Sequence, residues 1–148
     1  MARYVTVMRT PQSPPDAFGY LADVEHFAEW DPGVARAVQV VGDGPGPGSA
    51  YDLDVRTGPR TTTFRYETVE WDPPRRLLLR AERGVFLSVD EIRVEPDGAG
   101  ARVTYDARLT LRGPAALLDP LLRLAFGRIG DRAAAGLRRA LHATPVAT

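Results

Sequence analysis

The segment DPLLRLAFGRIGDRAAAGLRRAL, Asp119–Leu141, decides the fold because it carries the longest amphipathic pattern in the chain. Its apolar residues recur at the three-and-four spacing of one helical face, and its arginines lie mostly on the other side. Asp119 suits the N-cap, and Pro120 suits the first helical position, where a backbone N–H would have no partner. Because such a helix is only marginally stable alone, we expect the rest of the chain to form the surface that it covers. The predicted apolar face consists of Leu118, Leu121, Leu122, Ala125, Phe126, Ile129, Ala133, Leu137, Ala140 and Leu141.

The composition is that of an ordinary globular domain with balanced charge. The chain has 148 residues, of which 19 are basic and 19 acidic, so we predict one domain over residues 1–148 and no nucleic-acid partner. Cysteine is absent, which excludes disulfides and thiolate metal sites. No segment resembles a signal peptide or approaches the roughly 20 apolar residues of a membrane span. We therefore expect a cytoplasmic protein without integral membrane association.

Ahead of the long helix, the chain alternates between short strands and turns. A β-rich run covers residues 4–9, and a helical pattern begins at Asp16. Within this pattern, Asp23 is predicted to end one short helix and to cap a second one. Six further strands follow between residues 34 and 112, separated by turns rich in Gly and Pro. This order predicts an α+β fold in which a strongly curved antiparallel sheet of about seven strands wraps around the long C-terminal helix. The two short helices after the first strand would close one end, and the first strand would pair at an edge of the sheet.

Alternation within the strands assigns one apolar face and one polar face to the sheet. In the last strand Val103, Tyr105 and Leu109 face inward, whereas Asp106 and Arg108 face solvent. The same phase in the other strands predicts a cavity under the helix. The positions predicted to line this cavity are Tyr51, Leu53, Phe64, Tyr66, Leu79, Phe86, Ser88, Asp90, Tyr105, Leu109, Leu122, Phe126 and Ile129, with Trp30 at its mouth.

Five segments in this order carry a resemblance to a known family: FGYLADVEHFAEWDPGV, GSAYDLDV, YETVEWDPPRRL, GARVTYDA and GPAALLDPLLRLAFGRIGDRAAAGLRRAL. Together they resemble the SRPBCC, or START-like, superfamily, and more narrowly its polyketide cyclase/dehydrase and lipid-transport family. The resemblance implies the helix-grip fold and a cavity between sheet and helix. Members include lipid carriers, hormone receptors and aromatase/cyclases, so the resemblance is specific for fold and not for activity. The chain does not match the aromatic polyketide cyclases closely enough to carry over catalytic residues.

Asp90 is the most informative single residue because alternation places a carboxylate among inward-facing apolar residues. An inward carboxylate is costly unless it is paired or protonated. Two interpretations remain open at this point. In the first, Asp90 is a polar anchor in the cavity and the candidate catalytic acid. In the second, a bulge or a salt bridge to an arginine turns Asp90 away from the interior.

Trp30 and the helix glycines also allow two interpretations each. Trp30 either packs the short helices onto the sheet or contacts a ligand. Gly127, Gly130 and Gly136 each weaken the long helix by roughly 1 kcal/mol relative to Ala. They indicate either close approach of the helix to the sheet or space for a ligand beneath it.

Other candidate motifs do not predict a cofactor. The glycine run DGPGPGS lacks the GK[ST] ending of a phosphate-binding loop and is better explained as a loop between strands. His26 and His142 are the only histidines and belong to no metal-binding motif. We therefore expect no metal, nucleotide or covalent cofactor.

The sequence favours binding of a hydrophobic or aromatic small molecule, such as a lipid or polyketide-like compound, by a monomer or homodimer. An alternative is a cyclase/dehydratase-type enzyme in which Asp90 and cavity tyrosines transfer protons. A third possibility is an adaptor whose core is filled and has no cavity. Whether the protein is an enzyme is left open by the sequence.

Overall fold

The computed structural model describes residues 1–146 and forms one antiparallel sheet with a long helix across it. The strands and helices are β1 (Ala2–Thr10), α1 (Pro14–Ala22), α2 (Phe27–Trp30), β2 (Val34–Val41), β3 (Ala50–Thr57), β4 (Arg60–Asp72), β5 (Arg76–Arg83), β6 (Phe86–Asp97), β7 (Gly100–Leu111), α3 (Asp119–Leu141) and β8 (Thr144–Pro145). Two 3₁₀ turns, Val24–His26 and Gly113–Leu118, precede α2 and α3 respectively. The sheet order is β2-β3-β4-β5-β6-β7-β1-β8.

This architecture confirms the predicted α+β helix-grip fold. The strand that the sequence did not predict is β8, which has two residues and pairs with the end of β1 at Met8 and Arg9. Asp23 ends α1 and caps the following 3₁₀ turn, as predicted. The first helix begins earlier than expected, because Ser13 caps it and accepts a hydrogen bond from the Asp16 N–H.

The start of α3 differs from the prediction. Leu118 occupies the N-cap position and Asp119 is the first helical residue, because the preceding 3₁₀ turn runs directly into the helix. The Asp119 carboxylate instead forms an ion pair with the amino group of Met1. At the other end His142 adopts the left-handed conformation, and its N–H donates to the carbonyls of Arg138 and Arg139.

The predicted apolar face of α3 is buried over its C-terminal half only. Ala134, Leu137 and Leu141 lie in the core with Gly136. In contrast Leu118, Leu121, Ala125 and Ile129 are exposed, which corrects the prediction that one continuous stripe is covered. The backbone of α3 approaches mainly β1 and α2, and it comes much less close to the strands in the middle of the sheet.

Asp106 corrects the assignment of a solvated outer face. Its side chain is 1% exposed because Arg3 of β1 donates two hydrogen bonds to it, at 3.0 and 2.7 Å, and Arg108 a third at 3.1 Å. The two guanidinium groups hold the pKa of Asp106 below its ordinary value. Within residues 1–146, no helix is long and apolar enough to cross a membrane.

Candidate functional site

A cavity of about 380 Å³ lies between the sheet and α3, with walls that are mainly apolar. Strands β3, β4, β6 and β7 form its floor, α2 and the Trp30–Gly33 turn close one end, and α3 covers it. Its volume lies in the range of roughly 300–1,000 Å³ that is typical of small-molecule sites.

Nearly all the positions predicted to line a cavity border this one. These residues are Trp30, Leu53, Phe64, Tyr66, Phe86, Ser88, Asp90, Tyr105, Leu109, Leu122, Phe126 and Ile129. Tyr51 and Leu79 are the exceptions, since both are fully buried in the core cluster that contains Phe18 and Leu21 of α1. Alternation predicted their face correctly, but the short helices fill the space above them.

Several residues that border the cavity were not predicted from the sequence. Val55 and Ala107 share the inward phase of their strands and were detectable from alternation. Tyr4 has the inward phase of β1, but both phases of that strand contain apolar residues. Asp31 and Arg56 carried no such signal, because Asp31 lies in a turn and Arg56 has the outward phase of β3. The full set of missed residues is Tyr4, Thr6, Phe27, Asp31, Gly33, Val34, Val55, Arg56, Thr57, Gly58, Ala107, Gly130, Ala133, Ala134 and Leu137.

Asp90 faces the cavity and forms the centre of its polar groups. The register between β6 and β7 is continuous from Phe86 to Asp97, so no bulge turns Asp90 outward. Its side chain is 8% exposed, and the Tyr105 hydroxyl donates a 2.6 Å hydrogen bond to it. Ala107 is its partner across the ladder, and this small residue leaves space above the carboxyl group.

A second polar pair lies beside the first. The hydroxyls of Tyr66 and Ser88 are hydrogen-bonded at 2.8 Å, although the residues belong to strands separated by β5. Ala81 lies between them in register, so the tyrosine ring can extend across a position with almost no side chain. Ser88 and Asp90 project on the same side of β6 because they are two residues apart.

Burial controls the protonation of these groups. Desolvation raises the pKa of Asp90 to about 7, against the opposing effect of the Tyr105 hydrogen bond, and the negative charges of Asp31 and Asp106 raise it further. Burial also raises the pKa of Tyr66 and Tyr105. Asp90 is therefore a carboxyl group that changes protonation state near neutral pH.

The Trp30–Gly33 turn contributes a second carboxylate. Asp31 accepts a 2.8 Å hydrogen bond from the Gly33 N–H, and burial raises its pKa while Arg56 opposes the shift. Arg56 itself donates to the Pro32 carbonyl at 2.6 Å, which fixes the turn on β3. No group of three or more histidine or acidic side chains among residues 1–146 is arranged to hold a metal ion.

Trp30 packs the short helix α2 onto the sheet and also borders the cavity. Its ring centroid lies 4.8 Å from that of Phe27 and 5.6 Å from that of Tyr105, so it packs α2 onto the sheet. It also borders the cavity. Its side chain is 5% exposed, yet its indole N–H has no hydrogen-bond partner among the described residues.

The three glycines of α3 differ in what surrounds them. A Cβ at Gly136 would lie 1.8 Å from the Trp30 carbonyl oxygen, so this glycine permits close approach of α3 to α2. At Gly130 a Cβ would lie 2.3 Å from the Tyr4 ring, and at Gly127 it would meet nothing within 4 Å. Close approach therefore explains Gly136 and Gly130, and Gly127 lies in open space.

Comparison with known proteins agrees with this geometry. Among solved structures, the chain is similar to a START superfamily protein from Mycobacterium smegmatis, with a TM-score of 0.78, 14% identity and coverage of 96% and 98% of the two chains. It is also similar to the protein TTHA0849 from Thermus thermophilus, with a TM-score of 0.75, 19% identity and 95% of each chain covered. A third similar structure is the di-domain ARO/CYC StfQ of the steffimycin biosynthetic pathway, with a TM-score of 0.70 and 18% identity over 93% of this chain and 48% of that one. At these identities the likeness concerns the fold alone.

Sequence comparison is more decisive about the family. No curated protein matches the chain significantly. Residues 1–142, however, match the family described as polyketide cyclase/dehydrase and lipid transport. Because that match covers almost the whole sequence, the chain belongs to the polyketide cyclase/dehydrase and lipid transport family.

Proposed function

We propose that the protein binds a hydrophobic or aromatic small molecule in the cavity between the sheet and α3. The observation that carries this proposal is the combination of a cavity of about 380 Å³, mainly apolar walls and a few converging polar groups around Asp90. That combination is the usual form of a small-molecule site. The open cavity also removes the reason for favouring an adaptor, which we expected to have a filled core.

A cavity-filling substitution tests this proposal. Ala107→Leu adds three carbons to the floor of the cavity, whereas Ala116→Leu adds the same atoms to an exposed position outside it. We expect the neutral fluorescent probe N-phenyl-1-naphthylamine to bind the wild type and the Ala116 variant equally. The Ala107 variant should bind it about tenfold more weakly, since overpacking by more than about 1.4 kcal/mol corresponds to that factor.

Native mass spectrometry of the purified protein would identify compounds that remain bound. Equal affinity of the probe for all three proteins would place its binding outside the cavity and contradict the proposal. Circular dichroism and the melting temperature of each variant would establish that the Ala107 protein is folded when it is assayed.

The second candidate is a cyclase/dehydratase-type enzyme, and the observation that favours it is the protonation of Asp90. A carboxylic acid with a pKa of about 7 and a tyrosine 2.6 Å away is suited to donating a proton to an oxygen of a bound substrate. Asp90→Asn keeps the shape and hydrogen-bonding capacity but cannot exchange a proton. With a polyketide-like compound that co-purifies, an enzyme should keep its affinity and lose roughly 100-fold or more in turnover. Undiminished product formation by this variant would remove Asp90 from the mechanism.

A further inference from the structure

The protein treats its two most buried carboxylates in opposite ways. Asp106, on the outer face of the sheet, is held by the guanidinium groups of Arg3 and Arg108. Asp90, on the inner face one strand away, forms no ion pair with any basic side chain among residues 1–146, and neither does Asp31. A carboxylate in an apolar cavity is costly unless it is protonated or a cation reaches it, so a ligand cation would stabilise the charged form of Asp90.

The basic side chains of the described residues do not place a positive charge beside Asp90, so we consider the ligand as the source of that cation. Of the 19 basic residues in the chain, Arg56 is the one that borders the cavity among the described residues. Its guanidinium already donates to the Pro32 carbonyl, and its charge acts on Asp31 rather than Asp90. The cavity therefore presents two acids to a ligand, and the inner one lacks a compensating charge.

Aromatic rings surround the same end of the cavity. Phe27, Trp30 and Tyr105 form a cluster with ring centroids 4.8 to 6.2 Å apart, and Tyr105 also donates to Asp90. Electron-rich ring faces attract a desolvated ammonium group, and a carboxylate beside them reinforces that attraction.

The indole of Trp30 requires a hydrogen-bond acceptor on the ligand, whereas the charged acids require a cation. Its indole N–H is buried beside the cavity without a partner among residues 1–146, so an acceptor atom on a bound molecule would satisfy it. An ammonium group alone offers donors only, whereas a neighbouring hydroxyl oxygen also accepts.

We infer that the ligand is a hydrophobic amine that carries a hydroxyl group close to its nitrogen, with the ammonium against Asp90 and the apolar body along the wall of Leu53, Phe64 and Leu109. This inference rests on the proposed binding function, whose ligand class it narrows. It assigns Asp90 the role of counter-ion, and Trp30 the role of hydrogen-bond donor to the hydroxyl oxygen.

Three probes of equal chain length test it by titration calorimetry at concentrations at which each is dissolved as a monomer. They are 2-aminododecan-1-ol, dodecan-1-ol and dodecanoate. We expect the amino alcohol to bind about tenfold or more tightly than the alcohol, the size of one hydrogen bond to a charged group. Dodecanoate should bind most weakly, because its charge repels Asp31 and Asp90.

Two variants connect that preference to the assigned residue. Asp90→Asn should reduce the affinity for the amino alcohol about tenfold and change the affinity for dodecan-1-ol about threefold or less. Asp52→Asn is the matched control, since Asp52 is paired with Arg65 on the outer face and does not border the cavity. It should change neither affinity.

The outcomes separate this inference from the proposed function. If dodecan-1-ol or dodecanoate binds as tightly as the amino alcohol, or if the preference persists in Asp90→Asn, the amine inference is wrong and cavity binding stands. If none of the three binds while N-phenyl-1-naphthylamine shows the Ala107-dependent binding described above, the inference alone fails. If that probe also does not bind, both fail.

Discussion

The two halves of α3 have the same amphipathic pattern but different surroundings. Leu137 and Leu141 in the C-terminal half are almost completely buried, whereas Leu121 and Ile129 in the N-terminal half are 67% and 49% exposed. An apolar stripe shows which side of a helix prefers to leave water, but it does not show whether the fold supplies a surface there. In this protein, half of the stripe packs into the core and the other half covers a cavity.

Tyr4 marks the boundary between the halves. Its ring packs against Gly130, and its hydroxyl donates a 2.7 Å hydrogen bond to Asp131. Beyond this point toward the C-terminus, α3 meets α2 and the end of β1, where the Thr10 hydroxyl donates to the Leu141 carbonyl. The C-terminal half therefore packs into the core, whereas the N-terminal half is joined to β1 near its start, where Asp119 pairs with the Met1 amino group and Arg123 donates to the Met1 carbonyl.

The largest expected effect comes from closing the gap at Gly136. A methyl group there would lie 1.8 Å from the Trp30 carbonyl oxygen, and a backbone atom cannot move aside without displacing α2. We expect Gly136→Ala to lower the free energy of unfolding by more than the roughly 3 kcal/mol at the upper end of ordinary overpacking. Urea denaturation followed by circular dichroism measures it. A loss below about 1 kcal/mol would show that the helix and α2 are not in close contact.

A pair of leucine truncations tests the two halves directly. Leu137→Ala removes a buried side chain and should cost about 3 kcal/mol, the middle of the usual range for such changes. Leu121→Ala removes the same atoms from an exposed site and should change the free energy of unfolding by about 0.5 kcal/mol or less. Similar losses in both variants would mean that the N-terminal half is covered in solution, and the comparison would fail.

Local patterns predicted the fold because the signals that define it are local. Alternation and turn residues identified the strands of the meander, and the three-and-four spacing identified α3 to within one residue of its start. What failed depended on distant parts of the chain. Asp106 is buried by Arg3, which lies 103 positions away in the sequence, and the exposure of Leu121 depends on how far the curved sheet reaches.

The cavity was predictable to a similar extent. Strand phase found most of its floor, since inward positions repeat every second residue. It could not distinguish Tyr51, which the short helices cover, from Leu53 on the same face of β3. It also gave no reason to include Asp31, whose position depends on a turn. Alternation shows which face of a strand a residue lies on, but it does not show which part of that face other elements cover.

Asp90 supplies a prediction about the cavity under the exposed half of α3. Because its pKa is raised to about 7 in the folded protein, the native state keeps a proton that the unfolded chain releases near pH 4. The free energy of unfolding should therefore fall as pH rises from about 5 to 8, by about 2 kcal/mol, and then level off.

Asp90→Asn should remove most of that decline, leaving the smaller contribution of Asp31, whose pKa is raised in the same direction. Denaturant titrations at pH 5, 6, 7 and 8 measure it. Asp52→Asn serves as the control, because Arg65 lowers the pKa of Asp52 and the contribution has the opposite sign. An unchanged pH profile in the Asp90 variant would show that this carboxyl group is hydrated or paired, and that the cavity is not the apolar chamber described here.

The smallest expected effect is a gain in stability at Gly127, in the N-terminal half of α3. A Cβ at Gly127 would meet nothing within 4 Å, and the residue has ordinary helical neighbours on both sides. Gly127→Ala should therefore raise the free energy of unfolding by about 0.5–1 kcal/mol, because alanine restricts the unfolded chain and favours the helix. Gly127 does not border the cavity, so the affinity for N-phenyl-1-naphthylamine should stay the same. The same substitution is thus predicted to stabilise the helix at residue 127 and to destabilise it at residue 136. A loss of stability at 127 would mean that another part of the protein packs there, and that the N-terminal half of α3 is held as firmly as the C-terminal half.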